Sequence, residues 1–581
     1  MTDSRIMLIS GAPDVGAIPE PGARHDNNWY NQDFHGYRVT EQPVFTKRHL
    51  RVVCVGAGAS GIQLAYKAER LLENIDLQIY EKNSDIGGTW LENRYPGCTC
   101  DIPSHSYQFT WARNPTWSSF YSGAEEIWQY MKDVAVKYDL EKYVQLDTKV
   151  QSAEWDEQTG HWNLKISGPE GSATEDWCDI LISASGVVNA WKYPAITGIE
   201  TYKGKLMHSA RWDDSYDLTG KTVAVIGGGS SAVQIIPNIQ PLVGKMYAYL
   251  RSASWITTGF GAKYAGPGGT NFKYTAEQIK EFEENPEVLR KYCRDIEGEL
   301  NKRFNLVHGN SNDQKNSRVL IGNIMKQRLG SEKLAEKLVP EFALGCRRMT
   351  PGSGYLESLS KENVEVIHKS VVRLTEDGLV DEDGVEQKVD AVICATGFDT
   401  SFAPHFTVIG RKGANIKQQF GDFPQGYLGI TAENFPNMFL LAGPNCPASH
   451  SSILPIMEWY TRYIFQMIEK IQTENIKSFE VKGGAVRDLF DHTHELMKRL
   501  VWSSPCRSWF KNGKIHGPVT AIYPGSRLHF FEVLKNVRWE DYKLEYKTAN
   551  RFQFMGNGFT HTESSVNGDP VWYFDDPFVL T

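Results

Sequence analysis

Residues 50–61 read Leu-Arg-Val-Val-Cys-Val-Gly-Ala-Gly-Ala-Ser-Gly, an apolar strand pattern that runs straight into Gly56-Ala-Gly58-Ala-Ser-Gly61. Beyond the glycines a helical period continues through Leu64, Ala65, Ala68 and Leu72, so the segment predicts strand, tight turn and helix. Gly56 permits the turn, Gly58 lets the backbone approach a pyrophosphate, and Gly61 allows close packing. The helix N-terminus adds partial positive charge. A second strand, Leu77-Gln-Ile-Tyr-Glu81, places Glu81 twenty positions after Gly61. A carboxylate there accepts hydrogen bonds from ribose hydroxyls and repels a ribose phosphate, which suits FAD or NAD.

The same order recurs downstream. Thr222–Ile226 leads into Gly227-Gly-Gly229-Ser230-Ser231-Ala232, and Tyr247–Leu250 ends at Arg251. No acid stands at the equivalent position; Arg251, nineteen positions after Ala232, offers a cation to a ribose phosphate. NADPH is favoured over NADH, with an exposed strand-end cation as the plainer alternative. Different charges at the two strand ends imply two different cofactors.

At 581 residues the chain exceeds a single core, and 41% apolar content with mixed charge indicates a packed globular protein. A formal charge of −8 gives no general attraction to nucleic acid or anionic membranes. Neither a secretory leader nor a membrane span is read from the apolar runs. Nine scattered cysteines suggest no disulfide framework, and the expectation is a reduced, soluble, cytoplasmic protein. Cys98 and Cys100 read as packing residues, and no metal site is expected.

The predicted fold class is α/β, with two Rossmann-like dinucleotide-binding domains for FAD and NADPH and a helical insertion in the second. Residues 1–49 form an extension, which Tyr30, Phe34 and Tyr37 would dock, with a disordered tail as the alternative. Residues 50–190 are the first part of the FAD domain and 191–395 the NADPH domain, with its insertion near 275–340. Residues 396–581 return to the FAD domain and carry a C-terminal substrate and cofactor loop. A small strand meander is expected over 150–177. A buried strand at Met438–Gly443 precedes a long helix beginning near Leu454.

Two further motifs carry chemistry. Residues 87–101, Gly-Gly88-Thr-Trp90-Leu-Glu-Asn-Arg-Tyr95-Pro96-Gly97-Cys-Thr-Cys-Asp101, follow the Glu81 strand and should run near a bound flavin. Trp90 stands where dithiol flavoreductases place a redox cysteine. Residues 202–213, Tyr202-Lys-Gly204-Lys-Leu-Met-His208-Ser-Ala-Arg-Trp212-Asp, join the two nucleotide modules and form a hinge candidate.

With these motifs the chain resembles the type I Baeyer–Villiger monooxygenases, including those of fungal secondary metabolism. Tyr202, Gly204, His208 and Trp212 match the family's Phe/Tyr-x-Gly-x3-His-x3-Trp fingerprint. Gly88, Trp90, Tyr95, Pro96, Gly97 and Asp101 match its second signature, and Ala395-Thr396-Gly397 fits as well. The resemblance covers nearly everything after residue 40. It implies FAD and NADPH as cofactors, and conversion of a ketone by O2 to an ester or lactone through a flavin peroxide.

In Gly345-Cys-Arg347-Arg348, followed by Tyr355, Arg348 resembles the family's active-site arginine. A fixed guanidinium there would stabilise negative charge on oxygen. Asp101 resembles the carboxylate that positions it, and Arg347 the neighbouring cation that helps hold the NADPH phosphate. His208 admits a general-base reading, but the match puts it at the domain junction and favours a structural role. Trp509 resembles a tryptophan of the family's mobile loop, although the loop pattern beyond it departs from the family's and core packing is an alternative. Three rivals stay open: oxygenation of nitrogen or sulfur, simple NADPH-dependent flavin reduction, and cofactor binding without turnover.

Overall fold

The computed structural model describes residues 29, 32–33, 35–449 and 451–575. Tyr30 and Phe34, expected to dock the N-terminal extension, lie outside them. Residues 42–45 lie against the C-terminal segment: Val44 N donates to the Phe559 carbonyl, and Phe45 stacks on Phe554 at 5.2 Å.

Leu50–Val55 is buried along nearly its whole length, as a parallel strand covered on both faces must be. It pairs in parallel with Ile75–Tyr80 on one side and Ile180–Ser183 on the other. The sheet is completed by Val144–Gln145 at one edge and Met438–Leu440 at the other. The helix Ala59–Leu71 turns Ile62, Leu64, Ala65 and Ala68 inward, and its buried Gln63 donates to Thr461 of the long helix Ile453–Thr473 at 3.1 Å.

The second sheet repeats the plan. Thr222–Ile226 lies between Lys245–Tyr249 and Ala391–Cys394, with Val364–Ile367 at one edge and Lys205–His208 at the other, all parallel. A separate antiparallel meander is built from Lys149–Asp156, His161–Ser167 and Ala173–Cys178. Residues 275–340 are helical, comprising Ala276–Glu284, Pro286–Asn301, Asn312–Leu329 and Glu332–Leu338 with a 3-10 stretch at Lys302–Val307. Among the described residues no helix is long and apolar enough to cross a membrane.

Within the segment joining the modules, Lys205–His208 completes a sheet edge by pairing with Ala391–Cys394. One sequence expectation changes. The cysteines are not all reduced: Cys346 and Cys506, 160 positions apart, form a disulfide with Cα atoms 6.4 Å apart. Packing of two distant loops, rather than any spacing in the sequence, brings this pair together.

Candidate functional site

The first glycine turn is shaped to leave backbone donors free. The helix Ala59–Leu71 has no side-chain cap and no acid in its first turn, so no side chain of its own occupies its N-terminal N–H groups. A Cβ on Gly61 would sit 2.2 Å from the Gly56 carbonyl oxygen, which only glycine avoids. The position of Gly58 opens toward Gly88, whose Cα would be 3.5 Å from a Cβ there, so the turn and the Gly88–Trp90 loop adjoin. Glu81 is held at the strand end by Ala57 N at 2.8 Å and by Asn83 N and Nδ2 at 3.0 and 2.9 Å. Burial raises its pKa, opposed by those backbone bonds. Trp90 is buried and donates to the Tyr107 hydroxyl at 3.1 Å.

The second turn repeats these features. Ser230–Ile239 again lacks a side-chain cap and a first-turn acid, and Ser230 and Ser231 open the helix. A Cβ on Gly229 would meet nothing within 4 Å, so this exposed position is open to an approaching ligand. Gly227 packs so tightly under Ala395 that a Cβ would lie 2.2 Å from its carbonyl oxygen, which brings Thr396 and Gly397 beside the turn.

Beyond this turn two arginines meet without an acid. Arg347 donates to the hydroxyls of Ser252 at 3.2 Å and Ser254 at 2.8 Å, and to the Ala253 carbonyl at 3.2 Å. Burial lowers its pKa, and the charge of exposed Arg251 pushes the same way. Among the described residues neither has a carboxylate within 4.0 Å, so the pair is electrostatically suited to a phosphate dianion.

A bridge of side chains fastens the modules together. From the 95–101 loop, Tyr95 donates to Gln234 at 2.8 Å, and Gln234 returns a bond to the Thr99 carbonyl at 2.9 Å. At the end of this loop Asp101 meets Arg348, Nη1 to Oδ2 at 2.6 Å and Nη2 to Oδ1 at 2.8 Å. This two-pronged geometry fixes the guanidinium plane, with the Phe260 ring 5.9 Å away. Burial works against the charge, yet Asp101 outweighs it and the Arg348 pKa lies above the ordinary arginine value.

Arg348 lines a cavity of about 130 Å³. Its apolar wall includes Ile102, Phe260, Phe304, Trp502, Phe510 and Leu528. Among the described residues its titratable lining groups are Arg303, Arg348 and Arg527. Such a pocket can hold an apolar body and offers positive charge to an anionic oxygen.

Arg527 is itself locked by an ion pair to Glu297 and by bonds to Asn301, at 2.7 Å from Nη2 and 3.1 Å from Nε. Both partners lie on the helix Pro286–Asn301, so the helical insertion supplies part of the cavity wall. None of Phe260, Trp502, Phe510, Arg303 or Arg527 was singled out from the sequence.

The fingerprint residues do not line this cavity. The Tyr202 hydroxyl donates to the Val389 carbonyl at 2.8 Å, and a Cβ on Gly204 would strike the Tyr202 ring. His208 is fully buried, stacked on Trp191 at 4.7 Å, and its Nδ1 accepts from Ala210 N at 3.1 Å. Burial lowers its pKa. Trp212 packs on the core of the second module. Trp509 lies against the apolar cluster beside Phe510, and it is Phe510 and Trp502 that reach the cavity.

Comparison with known proteins agrees with this architecture. The family described as flavin-binding monooxygenase-like matches residues 49–305. The FAD-binding monooxygenase tazF of Aspergillus terreus is 41% identical over 538 residues, which cover 91% of this chain and 95% of that protein. A Baeyer-Villiger monooxygenase of Pseudomonas aeruginosa is 31% identical, covering 83% of this chain and 89% of its own. The closed crystal structure of cyclohexanone monooxygenase superposes with a TM-score of 0.74 at 24% identity, covering 86% of this chain and 100% of that one. An oxidised steroid monooxygenase bound to NADP gives 0.72 at 25% identity, with 86% and 100% covered.

Proposed function

The chain belongs to the flavin-dependent monooxygenases of the Baeyer–Villiger type, and from that premise we propose that it uses NADPH and O2 to convert a ketone to an ester or lactone. The observation that carries this reading is the Arg348–Asp101 pair, held rigid at the junction of the modules with its guanidinium bordering an apolar cavity. In the first module the Gly56–Gly61 turn and Glu81 fit the pyrophosphate and ribose of FAD, with Gly88 and Trp90 beside them. In the second, Gly227, Gly229, Ser230 and Ser231 fit the NADPH pyrophosphate, and Arg251 and Arg347 its ribose phosphate, with Thr396 and Gly397 alongside. Bound FAD, reduced by NADPH, supplies the oxygen-activating chemistry.

The chain's own contribution follows from its charges. Arg348 keeps its proton at any working pH, because Asp101 raises its pKa further; it therefore acts as a fixed cation and hydrogen-bond donor, not as an acid. Each of its terminal nitrogens spends one N–H on Asp101, leaving others for an oxygen that gains negative charge beside the cavity. Asp101 is a positioning residue, since it is absent from the cavity lining and acts through Arg348. The aromatic wall orients the ketone and excludes water.

A purified-protein assay with NADPH and a panel of linear, cyclic and polycyclic ketones tests this. Oxygen uptake, hydrogen peroxide release and ester formation should be followed together. Ester formed in near proportion to NADPH supports the reading. Oxygenation of amines or sulfides without any ester would replace it with heteroatom chemistry, and NADPH oxidation that yields only peroxide would reduce it to flavin reduction.

A further inference from the structure

Cys346 immediately precedes Arg347 and Arg348, and Cys506 sits in the 501–515 segment whose Trp502 and Phe510 form cavity wall. Their disulfide ties these two parts of the site directly. The other seven cysteines are free thiols; burial pushes Cys98 up to about 11 and Cys293, Cys394 and Cys446 up to about 12. Thiols so raised are poor nucleophiles at neutral pH.

The arginine segment is irregular and is otherwise held by side chains: besides the bonds of Arg347 and Arg348, Trp255 Nε1 donates to the Phe342 carbonyl at 3.1 Å and Gln314 Nε2 to the Leu344 carbonyl at 2.9 Å. Residues 341–349 form no helix or strand, and Gly345 has φ +86°. Within them, the Cys346 N–H bonds only to the nearby Ala343 carbonyl, at 3.1 Å. The segment around Cys506 closes on itself, with Lys511 Nζ donating to the carbonyls of Ser504 at 2.5 Å and Ile515 at 2.9 Å. Ser503, Pro505 and Arg507 around Cys506 are exposed, so the bridge lies just beneath a surface turn.

We propose that Cys346 and Cys506 are positioning residues whose disulfide holds Arg348 in register with the Trp502–Phe510 wall, so that productive oxygen transfer depends on the redox state of this pair. The proposal rests on the role given to Arg348 above. The switch is thiol–disulfide exchange. A dithiol attacks the Cys346–Cys506 bond, delivers two electrons and two protons to give two thiols, and is itself oxidised to a disulfide. Opened, the arginine segment keeps the Asp101 pair and its other hydrogen bonds but loses its covalent link to the wall.

The test uses the purified holoprotein in three forms: untreated, reduced with dithiothreitol, and the double variant Cys346→Ser/Cys506→Ser. Differential alkylation with mass spectrometry reads the pair, and hydrogen exchange reads peptides covering 341–349, 501–515 and, as a reference, 50–61. We expect Cys346 and Cys506 to resist alkylation until reduction. Exchange in the first two peptides should then rise severalfold with the reference unchanged. Ester formed per NADPH should fall at least fivefold while NADPH oxidation stays within about twofold, and the double variant should behave like the reduced protein and ignore dithiothreitol. Alkylation of both cysteines in untreated protein overturns the proposal, as does unchanged exchange and coupling after reduction. If the double variant fails to fold, wild type with and without dithiothreitol still decides. If no ketone gives ester in any form, the functional reading fails, while the exchange data still judge the latch.

Discussion

Replacing Arg348 by alanine should separate oxygen consumption from oxygen transfer. The guanidinium is fixed by Asp101 through bonds of 2.6 and 2.8 Å and borders the cavity, so an oxyanion accepted by its free N–H groups would lie roughly 4 Å from the charge centre. At an effective dielectric of about 20, opposite unit charges at that separation attract by about 4 kcal/mol. Asp101, on the far side of the same guanidinium, offsets part of this, and the side chain is partly open to solvent. A loss of about 3 kcal/mol, or roughly a hundredfold, is therefore expected in ester formation for Arg348→Ala. Arg348→Lys keeps the charge but not the two-pronged pairing with Asp101, and should fall between wild type and alanine. Yellow cofactor retention and NADPH oxidation should persist in both, because the dinucleotide turns are elsewhere. The assay is ester by gas chromatography against NADPH consumed and hydrogen peroxide released. An alanine variant that keeps more than about a tenth of the wild-type ester per NADPH would remove the guanidinium from the oxygen-transfer step.

Three further outcomes follow from other parts of the molecule. Arg251→Ala should raise KM for NADPH by about tenfold and leave KM for NADH nearly unchanged, the size of one lost charge-assisted bond; equal effects on both would deny it the phosphate. Gly229→Ala should leave the melting temperature of cofactor-free protein unchanged, since a Cβ there meets no atom within 4 Å, but should weaken NADPH binding; tight NADPH binding by this variant would place the pyrophosphate elsewhere. His105 is buried among Tyr274, Phe282 and Tyr292, and burial depresses its pKa to about 3. It stays neutral when folded, whereas the unfolded chain takes up its proton below about 6.5, so its contribution is intact above that pH and is lost as pH falls toward 3. His105→Phe should then flatten the acid limb of a pH-resolved thermal melt, and an unchanged limb would assign acid sensitivity to other groups.

What could be read from the sequence was local. The two nucleotide turns are legible because a strand, a few glycines and a helix within a short stretch leave one reasonable geometry, and Thr222–Ile226 forms its strand with the expected limits. Residue 81 and residue 251 stand at strand ends for the same reason. The fingerprint was harder. Its core, Lys205–His208, has too few residues to show a period and is a strand only because Ala391–Cys394, nearly two hundred positions on, offers an edge.

Arg348 and Asp101 are 247 positions apart, and only resemblance to a family paired them before geometry did. The cavity wall had no such guide. Phe260, Phe304 and the Trp502–Phe510 pair come from three distant stretches of chain, and each looks like ordinary core aromatic surface until those stretches converge. Cys346 and Cys506 share that position: any two of nine cysteines are candidates by count, and only packing chooses them. Short-range sequence grammar therefore specifies where the dinucleotides fit, because that chemistry is recognised by backbone and strand ends. On the proposed reading, the selection of a ketone would rest on long-range packing of the helical insertion and the 501–515 segment around Arg348. Substrate preference should accordingly change with substitutions at Phe304, Trp502 and Phe510 that leave both dinucleotide turns untouched.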